Sequence, residues 1–170
     1  MNQPITFAIC GFGNRGRDAY AVYQKTHPDL MKIVAVADPV PQRLAAARQE
    51  YGVDPALCFD SAEALLARPR LADVMIIATQ DRQHVPEALA ALDLGYHLLL
   101  EKPISPELSD CMALLDKAHA TGRLVMVCHV LRYTAFYSRL KELIDQGVVG
   151  VIQTLDAVEN EGYYHQAHSF

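Results

Sequence analysis

The segment that most constrains this chain is an apolar stretch that runs directly into three spaced glycines. It reads Ile5-Thr-Phe-Ala-Ile-Cys-Gly-Phe-Gly-Asn-Arg-Gly16. An apolar strand that ends in G-x-G-x-x-G and continues as a helix is typical of a phosphate-binding loop. Gly11 permits the tight turn, Gly13 lets the backbone approach a diphosphate, and Gly16 lets the helix pack on the sheet. The helix then directs its first amide groups and the positive end of its dipole at the phosphates.

An acidic residue follows the second apolar stretch at the distance that this motif requires. The stretch 32–37 is followed by Asp38, which lies 22 residues after Gly16. A carboxylate at the carboxyl tip of the second strand accepts hydrogen bonds from the ribose hydroxyls of an adenosine. We therefore predict a bound dinucleotide rather than an ordinary glycine-rich turn. The residues expected to contact it here are Gly11, Phe12, Gly13, Asn14, Arg15, Gly16 and Asp38.

The same carboxylate bears on the choice of coenzyme. It favours the free 2′-hydroxyl of NAD and repels the 2′-phosphate of NADP. Arg43 lies five residues after Asp38 and softens this preference if its guanidinium reaches the ribose. In the alternative interpretation, Arg43 pairs with Glu50 or faces solvent on its own helix. We therefore predict NAD, with NADP as the second choice.

Length and composition limit the class of protein. The chain has 170 residues, which suits one domain and the beginning of another, and 51% of them are hydrophobic. The net charge of -5 and the scattered Lys and Arg residues predict no nucleic-acid partner. Four cysteines without metal or redox spacing predict buried free thiols. The N-terminus lacks a signal-peptide pattern and no apolar run reaches ~18 residues, so we expect a soluble, cytoplasmic protein without a membrane contact.

Apolar strands alternate with amphipathic helices over residues 1–130. Strands are predicted at residues 5–10, 33–37, 57–59, 72–79, 97–100 and 124–130. Helices are predicted at residues 15–25, 41–51, 62–67, 86–94 and 105–121. Because such strand–helix units need right-handed crossovers, we predict an α/β fold with a Rossmann-type doubly wound parallel sheet.

The pattern changes after residue 130. A helix is predicted at residues 134–146, and one more strand is predicted at residues 151–158. A terminal strand with an apolar face requires partner strands, and the sequence contains none after it. We therefore expect residues 1–130 to form the dinucleotide-binding domain. Residues 131–170 are expected to be a connecting helix and the truncated start of a second, α+β domain.

With these motifs in place, the whole chain resembles the N-terminal part of the Gfo/Idh/MocA family (glucose–fructose oxidoreductase/inositol dehydrogenase). The matching segments are the glycine loop 11–16, Val36-Ala-Asp-Pro39 with Arg43, Ile77-Ala-Thr79 with His84, Glu101-Lys-Pro103, and Leu140-Lys-Glu-Leu-Ile144 with Gly147 and Gly150. The resemblance implies a Rossmann domain followed by an open antiparallel sheet that carries the substrate. It also implies hydride transfer between NAD or NADP and an alcohol carbon of a sugar or cyclitol. Family members usually associate through the second sheet, so the whole protein is expected to be a homo-oligomer.

The resemblance also assigns roles to the residues that follow strand 97–100. Lys102 is the predicted catalytic residue, because the matching lysine hydrogen-bonds the reacting hydroxyl and stabilises negative charge on that oxygen. The alternative for Lys102 is a surface lysine beside Glu101. Glu101 either contacts the nicotinamide side of the cofactor or pairs with Lys102. Pro103 shapes the turn, and the resemblance implies a cis Lys102–Pro103 bond.

Three further residues complete the predicted cofactor site. Thr79 and Gln80 follow a strand that faces the same crevice, so their polar atoms are expected to contact the diphosphate or the ribose. His84 matches a family histidine near the nicotinamide, although a histidine in a first helical turn, taken alone, is a solvated or capping residue. The set that these arguments add to the glycine loop and Asp38 is Arg43, Thr79, Gln80, His84, Glu101, Lys102 and Pro103.

The end of the chain carries a group of potential metal ligands. They are Glu159, Glu161, His165 and His168. We predict no metal site there, because Gly162 interrupts the segment and no helix is assured. The alternatives for this tail are a sugar cleft lined by residues 163–165 and a segment without order.

Two aspects of function stay open at this point. Family members take their acid/base histidine from the second domain, beyond residue 170, so we expect this chain to bind NAD but to turn over poorly. No residue before 170 separates a dehydrogenase from an NAD-dependent glycoside hydrolase of the same superfamily. A non-catalytic dinucleotide-binding module is the third interpretation.

Overall fold

The computed structural model describes residues 3–160 and residue 162, and the chain divides into two units, Met1–Cys128 and His129–Phe170. The first unit contains a six-stranded sheet in which every neighbouring pair of strands is parallel. Its strands are β1 (Ile5–Cys10), β2 (Met31–Ala37), β3 (Cys58–Phe59), β4 (Val74–Ile77), β5 (His97–Leu100) and β6 (Val125–Val127).

The strands lie in the order β3-β2-β1-β4-β5-β6. The chain moves outward from β1 to β3 and then returns to place β4 on the other side of β1. In open sheets of this kind, ligands bind at the carboxyl ends of the strands, where the order reverses. The predicted doubly wound parallel sheet is confirmed, and the reversal lies between β1 and β4.

Helices connect the strands and cover both faces of the sheet. The helical elements of the first unit are a π-helix (Asn14–Ala21), α1 (Tyr23–Thr26), α2 (Pro41–Tyr51), α3 (Ala62–Leu66), α4 (His84–Asp93) and α5 (Leu108–Thr121), with 3-10 turns at Pro55–Leu57 and Asp81–Gln83. Successive strand residues point to opposite faces. Accordingly, Ile9 packs with Val36 in one apolar layer, whereas Cys10 packs with Ile77 in the other.

Most element boundaries agree with the sequence prediction to within a few residues, but two helices differ in an informative way. The first predicted helix is a π-helix followed by the single turn α1, rather than one α-helix. Helix α4 begins at His84, two residues before its predicted start at Pro86. Proline is tolerated in the first turn of a helix because its missing N–H has no intrahelical acceptor there.

Over its described residues, the second unit contains less regular structure than the sequence predicts. A 3-10 turn, Val130–Tyr133, precedes helix α6, Ala135–Asp145, and the Thr134 hydroxyl accepts a hydrogen bond from the Tyr137 backbone N–H. Residues 151–158 form no strand, so the strand predicted there is wrong. A strand needs a neighbour for its backbone hydrogen bonds, and the described part of this unit contains no other strand.

The tail residues Glu161, His165 and His168, and the segment 163–165, lie outside the described residues. No helix in the described part of the chain combines the length and the apolar character that a membrane span requires.

Candidate dinucleotide site

The glycine loop connects β1 to the π-helix and packs closely against neighbouring backbone. Gly11 has a φ of +86°, and a Cβ there would overlap the Ala78 carbonyl oxygen. A Cβ at Gly16 would overlap the Gly11 carbonyl oxygen and would lie 3.2 Å from Ile9 Cγ2 on β1. Both glycines therefore have the structural reason that the motif predicts, namely a tight turn and close packing on the sheet.

The π-helix presents its first backbone amides at the carboxyl end of β1. Its first turn is closed by the Arg17 N–H, which donates to the Gly13 carbonyl oxygen at 2.8 Å. The amides that open a helix have no intrahelical acceptor. Those of residues 14–16 are therefore suited to bind anionic oxygens beside the loop.

Asp38 lies directly after β2 and is joined to the glycine loop. Its side chain is buried, with 2% of the residue exposed. Oδ2 accepts a hydrogen bond from the Phe12 N–H at 2.8 Å, and Oδ1 accepts one from the Val40 N–H at 2.9 Å. The predicted ribose-binding carboxylate is thus held by the backbone of the loop that is predicted to bind the diphosphate.

Arg43 is the side chain that contacts this carboxylate from outside. Its Nη1 lies 3.2 Å from Asp38 Oδ2 and 3.4 Å from Oδ1. The pairing with Glu50 that the alternative interpretation predicted is wrong, because the Glu50 carboxylate contacts Arg17 at 2.5 Å and Lys25 at 2.7 Å. Arg43 therefore belongs to the candidate site.

Thr79 follows β4 across the crevice, and its hydroxyl is directed into the domain. The Thr79 hydroxyl donates to Glu87 Oε2 on α4 at 2.8 Å. Burial raises the pKa of Glu87 to about 7, and the hydrogen bond from Thr79 opposes that rise. Only the lone pairs of the Thr79 hydroxyl thus remain for a ligand. Gln80, the next residue, is exposed at the edge of the crevice.

His84 connects the segment after β4 with the segment after β5. The residue is 1% exposed, which excludes the solvated position that a first-turn histidine alone suggests. Nδ1 lies 2.8 Å from the Pro103 carbonyl oxygen, and Nε2 lies 3.2 Å from the Thr79 carbonyl oxygen. A carbonyl oxygen only accepts hydrogen bonds. We therefore assign the shorter contact as an Nδ1–H donated to Pro103.

Glu101 is a buried carboxylate that ties the glycine-loop helix to the segment after β5. Its Oε1 accepts hydrogen bonds from Arg15 Nε at 2.8 Å and from the Tyr20 hydroxyl, and its Oε2 accepts from the Lys102 N–H at 3.1 Å. The ion pair of Glu101 is therefore with Arg15 and not with the Lys102 ammonium. Burial, the Cys128 thiol and the Glu101 carboxylate raise the pKa of Tyr20, so its phenol stays protonated and donates.

Tyr20 is the site residue that sequence reasoning missed. Arg15 and Tyr20 are five residues apart, and in an α-helix this spacing places side chains about 140° apart around the axis. A π-helix closes i→i+5 hydrogen bonds, so residues five apart lie about one turn from each other. The π-helix therefore brings both donors to the same carboxylate. The spacing of five was the only signal in the sequence.

Lys102 lies at the carboxyl edge of the sheet, two residues after the end of β5, and its side chain is exposed. Within the described residues, its ammonium makes no hydrogen bond or ion pair. The Lys102–Pro103 bond is cis, as the resemblance implies. The backbone of this segment is held on both sides, at Lys102 by Glu101 and at Pro103 by His84.

The predicted residues thus fall into two groups along one edge of the sheet. The loop 11–16, Asp38 and Arg43 are in mutual contact around the ends of β1 and β2. The segments after β4 and β5 form the second group, and Arg15 joins the two by reaching Glu101. Three features of the first group fit the diphosphate and ribose of a dinucleotide. Gly13 has no side chain, the first amides of the π-helix have no intrahelical acceptor, and the carboxylate of Asp38 is buried beside them.

Comparison with known proteins identifies relatives of this chain. A profile of the Gfo/Idh/MocA family, described as an oxidoreductase family with an NAD-binding Rossmann fold, matches residues 5–129. The inositol 2-dehydrogenase of Gluconacetobacter diazotrophicus is 32% identical over 128 residues, which is 75% of this chain and 37% of that protein. The D-glucoside 3-dehydrogenase of Escherichia coli is 28% identical over 156 residues, 92% of this chain and 43% of that protein.

Solved structures agree in fold. The apo scyllo-inositol dehydrogenase from Lactobacillus casei has a TM-score of 0.78 and 25% identity, covering 87% of this chain and 43% of that chain. The WlbA dehydrogenase from Chromobacterium violaceum, in complex with NADH and UDP-GlcNAcA, has a TM-score of 0.79 and 23% identity, covering 88% and 42%. The chain spans less than half the length of these relatives. It belongs to the Gfo/Idh/MocA family of oxidoreductases with an NAD-binding Rossmann fold.

Proposed function

We propose that the whole protein is an NAD(P)-dependent oxidoreductase that transfers hydride to or from an alcohol carbon of a sugar or cyclitol. The present chain supplies the part that binds NAD. The observation that carries this proposal is the buried carboxylate of Asp38, hydrogen-bonded to the glycine loop where the strand order reverses. The names of the relatives, inositol 2-dehydrogenase and D-glucoside 3-dehydrogenase, support the substrate class.

The cofactor residues divide the dinucleotide between them. The amides of the loop and of the π-helix N-terminus bind the diphosphate, and Asp38 accepts the ribose hydroxyls. Gln80 and the Thr79 hydroxyl lie on the opposite side of the crevice. The Gln80 amide donates to the diphosphate, whereas the Thr79 oxygen, whose hydrogen is donated to Glu87, accepts from a hydroxyl of the second ribose. When bound, the nicotinamide ring supplies the hydride acceptor or donor.

Lys102 is proposed to be the catalytic residue of this chain. Its exposed ammonium at the sheet edge donates a hydrogen bond to the substrate oxygen and stabilises the negative charge that develops there. Glu101 and His84 hold the backbone on either side of Lys102, so they are positioning residues. As the family resemblance implies, a residue of the second domain takes the proton, and this base must lie within hydrogen-bonding distance of the reacting hydroxyl.

The unit that begins at His129 is the start of the substrate domain. The protein works in the cytoplasm, which is supported by its four free cysteines, since disulfides are rare in reducing compartments. It forms a homo-oligomer, which is supported by the family resemblance.

Calorimetric titration of the chain with NADH tests the proposal. The Asp38→Asn variant removes the charge that accepts the ribose hydroxyls, and hydrogen bonds to charged groups contribute about 1.5–3 kcal/mol. We expect the affinity of this variant for NADH to fall by at least about tenfold. The matched control is Asp116→Asn, which removes the same charge from an exposed position on α5. Absence of NADH binding by the folded parent chain, or equal affinities of the two variants, would contradict the proposal.

A further inference from the structure

The acceptor positions of the Asp38 carboxylate are all occupied in the free chain. A carboxylate offers about four lone-pair positions, two on each oxygen. Oδ2 receives the Phe12 N–H and Arg43 Nη1, whereas Oδ1 receives the Val40 N–H and the same Nη1. The two hydroxyls of an incoming ribose therefore meet a carboxylate that has no free position.

Only one of these three donors can leave. The amides of Phe12 and Val40 belong to the backbone on either side of the carboxylate, and the Asp38 side chain is buried between them. The donor of Arg43 lies at the end of a long side chain whose exposed fraction is 46%. The two positions that ribose hydroxyls require are thus the two that Arg43 holds.

The Arg43 guanidinium also covers the glycine loop. Its Nη1 lies 3.4 Å from the point where a Cβ of Gly13 would be. Because Gly13 has no side chain, the surface beside it is open, and Arg43 occupies this surface. The same guanidinium contacts the neighbouring carboxylate. A nucleotide that uses both surfaces must displace this one side chain.

We propose that Arg43 is a specificity-determining residue that competes with the ribose for Asp38. In the free chain it holds the two acceptor positions that the 2′- and 3′-hydroxyls of NAD need, so NAD binds only as Arg43 swings away. The displaced guanidinium stays at the first turn of α2, beside the 2′ position, and pairs with a 2′-phosphate. Arg43 therefore weakens binding of NAD and strengthens binding of NADP. This inference rests on the proposed function, because it assumes that Asp38 binds the adenosine ribose.

The expected effects have opposite signs for the two coenzymes. A partly exposed ion pair contributes little, so its removal changes an affinity by about two- to fivefold. We expect Arg43→Ala to bind NADH about two- to fivefold more tightly than its control and NADPH at least about fivefold more weakly. A general loss of positive charge would weaken both coenzymes together.

The matched control is Arg48→Ala. Arg48 lies on the same helix and carries the same charge, and its side chain makes no hydrogen bond or ion pair among the described residues. Calorimetric titrations of the parent chain and of both variants with NADH and NADPH give the comparison, with circular dichroism as the check of folding. If Arg43→Ala does not fold, Arg43→Gln takes its place, because it removes the charge and keeps most of the side chain.

The outcomes separate this inference from the proposed function. Tighter NADH binding and weaker NADPH binding by the Arg43 variant, both relative to the Arg48 variant, support the competition. Equal or weaker NADH binding by the Arg43 variant, with the parent chain still binding NADH, overturns the inference alone. If the folded parent binds neither coenzyme, the proposed function fails and the inference fails with it.

Discussion

The Tyr20 hydroxyl is expected to hold the Glu101 carboxylate, and therefore Lys102, in place. The Tyr20→Phe substitution removes this donor and leaves the ring. A hydrogen bond to a charged group contributes about 1.5–3 kcal/mol. We expect a value near the lower end, about 1.5 kcal/mol, because Arg15 still donates to the same oxygen.

Urea unfolding followed by circular dichroism measures this loss. For a small domain, the free energy of unfolding falls by about 1–3 kcal/mol per molar urea, so the midpoint should fall by about 0.5–1.5 M. The control is Tyr23→Phe, because the Tyr23 hydroxyl makes no hydrogen bond among the described residues and its ring stacks on His27. Its free energy of unfolding should stay within about 0.5 kcal/mol of the parent value.

Amide hydrogen exchange distinguishes a positioning role from a merely structural one. The Lys102 N–H donates to the same carboxylate at 3.1 Å. In Tyr20→Phe, exchange at this amide should accelerate more than exchange at the amides of β5, which report the stability of the sheet. The reasoning is refuted if Tyr20→Phe destabilises the chain no more than Tyr23→Phe, or if exchange at Lys102 is unchanged.

Two further substitutions test the glycine loop and the buried acid behind it. Gly11→Ala adds a Cβ that overlaps the Ala78 carbonyl oxygen at a positive φ, so it should destabilise the chain by about 2–6 kcal/mol in urea unfolding. Gly52→Ala, at a φ of +69° with open space around it, should cost only about 1–2 kcal/mol, and similar losses for both would contradict the overlap. Because burial raises the pKa of Glu87 from 4.5 to about 7, the folded state binds the extra proton between these values, and stability falls as the pH rises through this window. At pH 8, the free energy of unfolding of Glu87→Gln should therefore exceed that of the parent by about 1–3 kcal/mol, whereas at pH 4 the two should be equal. An equal difference at both pH values would count against burial as the cause.

Much of the first unit could be predicted from the sequence because its signals are local. Each strand is a short apolar run, and the six residues of the glycine loop predict the turn after β1. The handedness of strand–helix–strand crossovers then leaves few sheet orders to consider. The same locality explains why the sequence could predict Asp38 and the segment after β5 as candidate site residues, since each follows directly on a strand.

The remaining features depend on contacts between residues that are distant in the sequence. The burial of His84 against Pro103 and the hydrogen bonds of Arg15 and Tyr20 to Glu101 arise only when separate segments meet. The π-helix involves a shift of one residue in hydrogen bonding, which side-chain periodicity does not record. Both the dehydrogenase and the NAD-dependent glycoside hydrolase interpretations require the same cofactor site, so its residues do not separate them.

The strand predicted at residues 151–158 shows that a local sequence signal is not sufficient to form a strand. Its apolar, β-branched residues carry strand propensity, but propensity provides no partner for the backbone hydrogen bonds. The residues lie in the described part of the chain without strand pairing, and Val151 and Val158 are each 83% exposed. Sequence pattern therefore identified the preference of this segment and not its structure.

The most direct test of the central claim is a nuclear magnetic resonance titration of the isotope-labelled chain with NADH. The account predicts that the largest backbone amide shifts occur in the loop 11–16 and at residues 38–43, with saturation as the coenzyme is added. Saturable shifts confined to other parts of the chain, or no shifts at millimolar NADH, would contradict the claim that the glycine loop and Asp38 hold the cofactor.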